Sequence, residues 1–288
     1  MKATVIGGAG VIGFFFAEIL SGRYQVIIAD PDEKRGEKAA QQLNIKYIKD
    51  NKSAVEDADI VLVSTPIKKT PDVLRQIIPE MKSGSLLMDA TSVKSRVLEA
   101  YREAGREDIE FISIHPMFCP PTKLEGQTII VIPISGVSRL TELTDLFRSL
   151  GLKVAESTIE EHDEIMALVQ VLIHVSFMGI NSTIKEMGYT DEKLRPYMGK
   201  FHQVLFDFIP RITSQNPQMY ASIQTENESS QRVCEILLEK IDLFKKLIIQ
   251  NETSRLANEL KLMSDIYINS ELSIKRTNRL IDSYEEDI

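Results

Sequence analysis

One histidine stands where a proton acceptor would be useful. His115 follows the apolar run Ile109 to Ile114 and is one of only 4 histidines in the chain. Histidine has an unperturbed pKa of about 6.5, so its imidazole can take up a proton near neutral pH. The end of a predicted strand suits a general base. It also suits a buried histidine that only satisfies its own hydrogen bonds, and both interpretations stay open.

A glycine-rich turn between two apolar runs predicts a dinucleotide site. The run Lys2 to Ile6 leads into Gly8-Ala9-Gly10-Val11-Ile12-Gly13, and a second run, Val26 to Ala29, ends on Asp30. Bare backbone at Gly10 lets a pyrophosphate approach the N-terminus of the next helix, and Gly13 lets that helix lie close to the sheet. A turn that only joins a strand to a helix would not need the acid. The predicted cofactor-binding residues are Gly8, Gly10, Val11, Ile12, Gly13 and Asp30, with Thr65 and Pro66 after a later strand.

Asp30 favours NAD over NADP as the cofactor. A carboxylate at the tip of the second strand can accept hydrogen bonds from both ribose hydroxyls, and it would repel a 2′-phosphate. Arg35 lies a short distance further along the chain and could hold such a phosphate. The sequence therefore predicts NAD, with Arg35 as the residue that argues for NADP.

Ser92 and Arg211 are two further residues whose side chains could do chemistry. Ser92 follows the apolar run Leu86 to Met88, and it suits a catalytic hydroxyl as well as the cap of the following helix. Arg211 is charged within the apolar segment Phe208-Ile209-Pro210-Arg211-Ile212. Turned inward, such an arginine can clamp a ligand carboxylate or form a structural ion pair.

Four polar residues form a stripe along one predicted helix. The helix runs from Ile159 to about Met187 and is apolar enough to be buried almost all round. At about 100° per residue, one line along it carries Asp163, Gln170, His174 and Asn181. An unpaired buried polar group costs about 1 to 3 kcal/mol, so these groups either bond one another in a bundle or dimer core, or line a wet pocket. We favour the pocket, because this helix directly follows the predicted nucleotide domain.

The elements that must position these residues change character halfway along the chain. Apolar runs and amphipathic stretches alternate through residues 1–156, which predicts a Rossmann domain, a doubly wound and mainly parallel sheet. Ser157-Thr158-Ile159-Glu160 resembles a capping box, and residues 157–288 contain helical segments without a convincing strand. We therefore predict an α/β domain followed by an all-α substrate and dimerisation domain, with the ligand in the cleft between them.

Composition restricts the class of function. The chain has 288 residues, 43% hydrophobic and 26% charged, with a net charge of −8. Without a long basic run, this charge argues against nucleic acid or an anionic membrane and favours a small-molecule substrate. The first strand begins at Lys2, so we expect no signal peptide, and we expect no apolar stretch of about 20 uncharged residues. Cys119 and Cys234 are too few for a disulfide framework or a metal site. This agrees with a reducing compartment, and we expect the protein in the cytoplasm.

The order of these motifs resembles that of the prephenate dehydrogenase family, up to about Asn251. The similarity includes the glycine turn, a D-x-x-S-x-K segment, an HPMF segment, an HD…Q…H helix and an arginine segment. In this chain they are Gly8 to Gly13, Asp89 to Lys94, His115 to Phe118, His162-Asp163 with Gln170 and His174, and Phe208 to Arg211 with Asn216 to Ala221. Cys119 departs from the family pattern, which has a glycine there, and this puts the local loop shape in question.

The resemblance implies the oxidative decarboxylation of a cyclohexadienol with NAD. By that analogy, neutral His115 accepts the proton of the ring hydroxyl, and Ser92 bridges the hydroxyl and the nicotinamide. Arg211 would hold a substrate carboxylate, while His174 and Gln170 orient the ring. The residues do not distinguish prephenate from arogenate. Another dehydrogenase with the same two-domain plan, such as a β-hydroxyacid dehydrogenase, and a non-catalytic NAD sensor are the alternatives.

The second half of the chain also predicts self-association. Most of its helical segments carry wide apolar faces, which is more apolar surface than a single helical bundle of this size covers. We therefore expect a homodimer formed through the helical domain, and the resemblance implies the same.

Overall fold

The chain forms two compact units. The computed structural model describes residues 1–120 and 122–284. Its contacts divide into Met1–Ile165 and Met166–Ile288. This division falls a few residues after the predicted boundary at 156/157, because the first turns of the helix that follows the boundary bind residues of the first unit, including Lys94 and His115.

The first unit contains an eight-stranded sheet in the order β3-β2-β1-β4-β5-β6-β7-β8. All strands are parallel to their neighbours except β7, which is antiparallel to β6. The four apolar runs named above coincide with β1, β2, β5 and β6 to within two residues at each end, and the sheet confirms the predicted fold class. The strands are β1 Lys2–Ile6, β2 Gln25–Ala29, β3 Lys46–Ile48, β4 Ile60–Val63, β5 Leu86–Asp89, β6 Glu110–Pro116, β7 Thr128–Ser135 and β8 Lys153–Glu156.

Burial explains why these segments are strands. β4 and β5 are buried along their whole length, as expected for central strands of a parallel sheet that is covered on both faces. Because β1, β2, β4, β5 and β6 run in the same direction, their carboxyl ends meet at one edge. That edge, called the carboxyl edge below, carries the turns after all five strands.

Helices cover the sheet and make up the second unit. Those of the first unit are α1 Val11–Ser21, α2 Glu33–Leu43, α3 Asn51–Val55, α4 Thr70–Ile77, α5 Ser95–Ala104, α6 Leu140–Ser149 and α7 Ile159–Met166. Those that follow are α8 Leu172–Glu186, α9 Asp191–Leu194, α10 Lys200–Thr213, α11 Pro217–Glu226, α12 Ser230–Ile249, α13 Thr253–Met263 and α14 Ser270–Asp282.

The capping box of α7 lies one residue later than predicted. The backbone N–H of Glu161 donates to the Thr158 hydroxyl at 3.2 Å, and the Ser157 hydroxyl donates to the Glu161 carboxylate at 3.0 Å. Thr158 and Glu161 therefore take the places that the sequence suggested for Ser157 and Glu160. At the other end, Gly188 has a φ of +74° and closes α8.

A π-helical turn interrupts the predicted long helix. Residues Ala167–Val171 separate α7 from α8. Because a π turn has i→i+5 hydrogen bonds, it changes the direction of every later side chain relative to an ideal α-helix. The predicted stripe is therefore wrong as a single line. Its first member, Asp163, binds the N-terminus of α5, and its last member, Asn181, is exposed.

The same helix corrects the prediction about apolar stretches. Ile159–Glu186 is long and apolar enough to cross a membrane by length and composition, with a mean hydropathy of 1.7 over its most apolar window. Only 17% of that window is buried within the chain, so the expectation of a nearly all-buried helix was also wrong.

Candidate active site

His115 lies near the end of β6, at the carboxyl edge. It is only 3% exposed, and its Nδ1 lies 2.9 Å from Nε2 of His162. The two imidazoles meet edge to face, with ring centroids 5.1 Å apart. His162 stands on α7, so a contact between two neighbouring elements fixes the ring of His115.

Asp163 fixes His162 in turn. Its Oδ1 lies 2.8 Å from Nδ1 of His162. The same carboxylate accepts the backbone N–H of Lys94, at 3.1 and 3.2 Å, and that of Ser95 at 3.0 Å. These are the free N–H groups at the start of α5, where a negative charge is stabilised by the helix dipole.

This contact corrects one interpretation of Ser92. Asp163, and not Ser92, caps α5. Ser92 lies half-buried in the turn after β5, at the same edge as His115. Its hydroxyl makes no hydrogen bond to His115 among the residues described, so it remains available to a ligand.

The chain of contacts determines where the protons are. A carboxylate only accepts, so Nδ1 of His162 carries the proton and its Nε2 is a bare acceptor. His115 then donates from Nδ1, which leaves its own Nε2 without a proton. That nitrogen has no partner in the described part of the chain. The arrangement therefore presents a bare imidazole nitrogen that can accept a proton from a ligand.

Burial and a nearby cation keep both rings neutral. Burial lowers the pKa of His115 well below its usual value, and the charge of Lys94 lowers it further. Burial also lowers the pKa of His162, although the hydrogen bond to Asp163 opposes this change. Both histidines are thus neutral at neutral pH, as a general base requires.

Lys94 is fully buried between β5 and β6. Its Nζ lies 2.8 Å from Oδ2 of Asp89 and donates to the carbonyl of Ile114 at 2.7 Å. Asp89 also accepts from the Thr91 hydroxyl at 2.6 Å and from the Ser113 hydroxyl. Burial lowers the pKa of Lys94, and the Asp89 carboxylate opposes that change. The charge of this lysine therefore lies beneath the strand end that carries His115.

The glycine turn after β1 fits a dinucleotide. α1 begins at Gly10 without a side-chain cap, so its first N–H groups are available to a phosphate. A Cβ at Gly10 would meet only the Gly7 carbonyl, whereas a Cβ at Gly13 would lie 2.2 Å from that oxygen. Gly10 therefore leaves room for a ligand, and Gly13 permits the close packing of α1. Gly7, which the pattern did not select, supplies the left-handed turn at φ +77°.

Asp30 and Arg35 both form hydrogen bonds with the backbone of Ala9. The Asp30 carboxylate accepts the N–H of Ala9 at 3.2 Å and that of Asp32 at 3.0 Å. Arg35 is exposed and donates to the Ala9 carbonyl at 2.8 Å. Asp30, which favours NAD, and Arg35, which would favour NADP, are therefore both bound to the same residue of the glycine turn, Ala9.

The other predicted cofactor residues follow the same strands. Val11 is exposed and Ile12 half-buried at the start of α1. Thr65 and Pro66 follow β4, where the Thr65 and Thr70 hydroxyls lie 2.9 Å apart. A Cβ at Gly7 would meet the Ser64 carbonyl at 2.3 Å, so this turn lies against the glycine turn.

The second unit carries the predicted substrate-binding residues. Nδ1 of His174 lies 2.8 Å from Nε2 of Gln224, and its ring meets Tyr220 edge to face. Burial lowers the pKa of His174. Gln170 lies in the π turn with a buried Oε1 that has no partner among the described residues. Arg211 is exposed on α10, so it is not the inward-turned residue that the sequence suggested.

Two family models match consecutive parts of the chain. Residues 20–156 match the model described as prephenate dehydrogenase, nucleotide-binding domain. Residues 158–262 match the model described as prephenate dehydrogenase, dimerization domain.

The chain belongs to the prephenate dehydrogenase family. The predicted family is thereby confirmed. The matches begin after the glycine turn and end before α14, so the motifs between these limits carry the assignment.

The chain is similar at low identity to two sequence relatives and to one solved structure. A probable arogenate/prephenate dehydrogenase of Methanocaldococcus jannaschii is 29% identical over 86% of this chain and 57% of its own length. A 4-amino-4-deoxyprephenate dehydrogenase of Streptomyces pristinaespiralis is 25% identical over 78% of this chain and 77% of its own. The crystal structure of prephenate dehydrogenase from A. aeolicus, in complex with hydroxyphenyl propionate and NAD+, has a TM-score of 0.76 at 23% identity, covering 96% of this chain and 98% of that one. This chain thus spans little more than half the length of the Methanocaldococcus protein.

Sequence reasoning missed the residues that act through others. His162 appeared only as part of a motif, and Lys94 and Asp89 only as part of another, without roles. Gln224 was not selected at all. A charged pair at the end of an apolar strand, Asp89 with Lys94, is a signal that could have been used, because such charges are buried only when paired.

We expect the His115–His162 contact to set the rate of this prephenate dehydrogenase family member. His115→Asn should lower kcat by about 10² to 10⁴, because the proton acceptor is lost. His162→Leu should lower kcat by about tenfold or more with little change in KM, since His115 then loses the acceptor that fixes its tautomer. His162→Gln keeps an acceptor oxygen and should retain more activity.

The measurement is kcat against pH for each variant, with the exposed His202→Asn as the matched control. Because the neutral base is the active form and burial lowers its pKa, the wild-type acid limb should lie below pH ~6.5. A wild-type acid limb of kcat above that pH, or full activity in His162→Leu, would contradict a role for the Asp163–His162–His115 chain of hydrogen bonds, called the relay below.

Proposed function

We propose that this family member is a prephenate dehydrogenase of tyrosine biosynthesis that converts prephenate to 4-hydroxyphenylpyruvate with NAD+. The observation that supports this best is the bare Nε2 of His115, held at the carboxyl edge by His162 and Asp163. Oxidation of a ring hydroxyl to a carbonyl needs a neutral proton acceptor of this kind.

His115 acts on the hydroxyl at C4 of the substrate ring. As the hydride leaves C4, Nε2 of His115 takes the hydroxyl proton, and the C4–O bond gains carbonyl character. The electron pair of the C–C bond to the leaving carboxylate enters the ring, and carbon dioxide departs. His115 returns the proton to the oxygen, which becomes the phenol. Bound NAD+ would accept the hydride.

The remaining residues bind and orient. Ser92, whose hydroxyl has no hydrogen-bond partner among the described residues, would bridge the substrate hydroxyl and the nicotinamide. Arg211, exposed on α10, supplies a guanidinium for a carboxylate of the substrate. His174 and Gln170 orient the ring. The half-buried Gln224 fixes the tautomer of His174. The amide Nε2 of Gln224 donates to Nδ1 of His174, so the imidazole proton of His174 stands on its own Nε2.

Gly8, Gly10, Gly13, Val11 and Ile12 form the turn that would hold the pyrophosphate. The uncapped α1 and the open space at Gly10 support this assignment. Asp30 would bind the ribose hydroxyls, and Thr65 and Pro66 would line the path of the cofactor beyond β4. We place the enzyme in the cytoplasm, in keeping with its two free cysteines.

The deciding experiment is an assay of NADH formation with purified protein. We expect turnover with prephenate, and we expect His115→Asn to abolish most of it while His202→Asn does not. Faster turnover with arogenate would assign the enzyme to the other substrate of the family. Activity only with β-hydroxyacids would indicate a different dehydrogenase, and NAD+ binding without any turnover would indicate a sensor.

Cofactor preference gives a separate prediction. Because the Asp30 carboxylate repels a 2′-phosphate, kcat/KM should be at least about tenfold higher with NAD+ than with NADP+. Asp30→Ala should narrow that ratio. Asp57→Ala removes an exposed acid that precedes β4, at the other edge of the sheet, and should leave the ratio unchanged. Equal use of NADP+ by the wild type would show that Arg35 outweighs Asp30.

We also propose a homodimer. Apolar side chains on α7, the π turn and α8 are exposed in the single chain, and so are several on α12. They are Ile165, Leu168, Val169, Ile173 and Ile180, and Ile236, Leu238, Ile241, Ile248 and Ile249. A soluble monomer rarely exposes so large an apolar area, and the matching family model is described as a dimerization domain.

Light scattering should therefore give twice the chain mass of 32.6 kDa at micromolar concentration. Ile173→Asp places a charge on the exposed α8 face and should lower the mass toward one chain, whereas Lys153→Asp, on an exposed residue of β8, should not. A wild-type mass of one chain would contradict the proposal.

A further inference from the structure

The last described helix makes a polar contact with the helix that carries Arg211. α14 lies beyond residue 262, where the match to the family model ends, and it packs against α10. The Tyr284 hydroxyl, just past the end of α14, donates to Oδ2 of Asp207 on α10. Residues 263–284, called the tail below, thus follow the part of the chain that matches the family model.

Asp207 has both of its oxygens engaged. While Oδ2 accepts from Tyr284, Oδ1 accepts from Arg195 at 2.9 Å. Arg195 is itself held by Asp191, at 2.8 and 3.1 Å. Burial would raise the pKa of Asp207, but the hydrogen bonds from Tyr284 and Arg195 outweigh it and lower the pKa. Asp207 is thus a charged carboxylate with its acceptor positions directed at these two residues.

The sequence alone would pair Asp207 with a different cation. Asp207 and Arg211 stand four residues apart on α10, which is the spacing at which an acid and a base on a helix form an ion pair. Within residues 1–120 and 122–284, Arg211 has no ion pair, and it is exposed. The guanidinium remains available because the carboxylate four residues earlier on the same helix is already bound by Arg195 and Tyr284.

We propose that Tyr284, together with Arg195, holds the Asp207 carboxylate so that Arg211 stays free to bind a carboxylate of the substrate. Tyr284 is then a positioning residue that acts through Asp207, and α14 is the element that delivers it. This inference rests on the proposed role of Arg211. It adds a reason for the tail, which the family motifs do not include.

The consequence of losing the Tyr284 hydroxyl follows from electrostatics. In Tyr284→Phe, Oδ2 of Asp207 lacks its donor and can turn to Arg211, where it competes with the substrate carboxylate. KM for prephenate should rise about twofold to fivefold, in keeping with the modest strength of exposed helical ion pairs, and kcat should not change. Raising the salt concentration should reduce the difference, because exposed charges are screened.

Rescue distinguishes this role from a loss of structure. In Tyr284→Phe with Asp207→Asn, the competing charge is absent, so KM should return to near the wild-type value. Tyr267→Phe is the matched control, since Tyr267 lies in the same tail and is exposed. An unchanged KM in Tyr284→Phe, a fall in kcat, or no rescue by Asp207→Asn would overturn the proposal.

Two further measurements distinguish a failure of the proposed role of Tyr284 from a failure of the proposed function. Arg211→Ala tests the carboxylate-binding role itself: if KM is unchanged there, that role and this inference fail together. If KM rises in Arg211→Ala but not in Tyr284→Phe, only the inference fails. Independently of activity, phenylglyoxal should modify Arg211 more slowly in Tyr284→Phe than in wild type, as followed by mass spectrometry, and equal rates would contradict the proposal.

Discussion

The candidate active site depends on the hydrogen bonds that the carboxylate of Asp163 accepts. This carboxylate accepts the backbone N–H groups of Lys94 and Ser95 at the N-terminus of α5, and it accepts a hydrogen bond from the Nδ1–H of His162. One charged group thus joins α7 to α5 and sets the tautomer of His162, which sets that of His115. Without it, the start of α5 would lose its cap, and the proton between the two histidines would have no fixed side.

A second buried charge keeps this relay neutral. The Lys94 backbone binds Asp163 and its side chain binds Asp89, so one residue links the helix cap to the ion pair under β6. A buried lysine costs several kcal/mol in desolvation, which only good pairing offsets. Here the charge has an effect beyond stability, because it lowers the pKa of both histidines. The ion pair and the proton acceptor therefore form one electrostatic unit.

Sequence patterns predicted what local physics determines and missed what the tertiary structure determines. The apolar run Lys2 to Ile6 identified β1 to the residue, because a strand that is covered on both faces needs nearly continuous apolar side chains. The short β3 was missed, since Lys46–Ile48 is too brief and mixed to show a period. The polar stripe failed because a π turn cannot be read from an assumed 100° repeat. His115 could be selected as a candidate from its type and position alone, whereas its partner on α7 depends on how α7 packs.

The base and the arginine place opposite demands on their surroundings. The proton affinity of an imidazole varies strongly with burial and nearby charge, so His115 needs the rigid, fully packed setting that β6, α5 and α7 provide. A guanidinium keeps its charge in any setting, so Arg211 can lie exposed on α10. In the proposed carboxylate-binding role, its availability depends on competition from nearby carboxylates rather than on proton affinity. This difference explains why the residues around His115 are buried and paired, while those around Arg211 include an acid whose oxygens are bound by Arg195 and Tyr284.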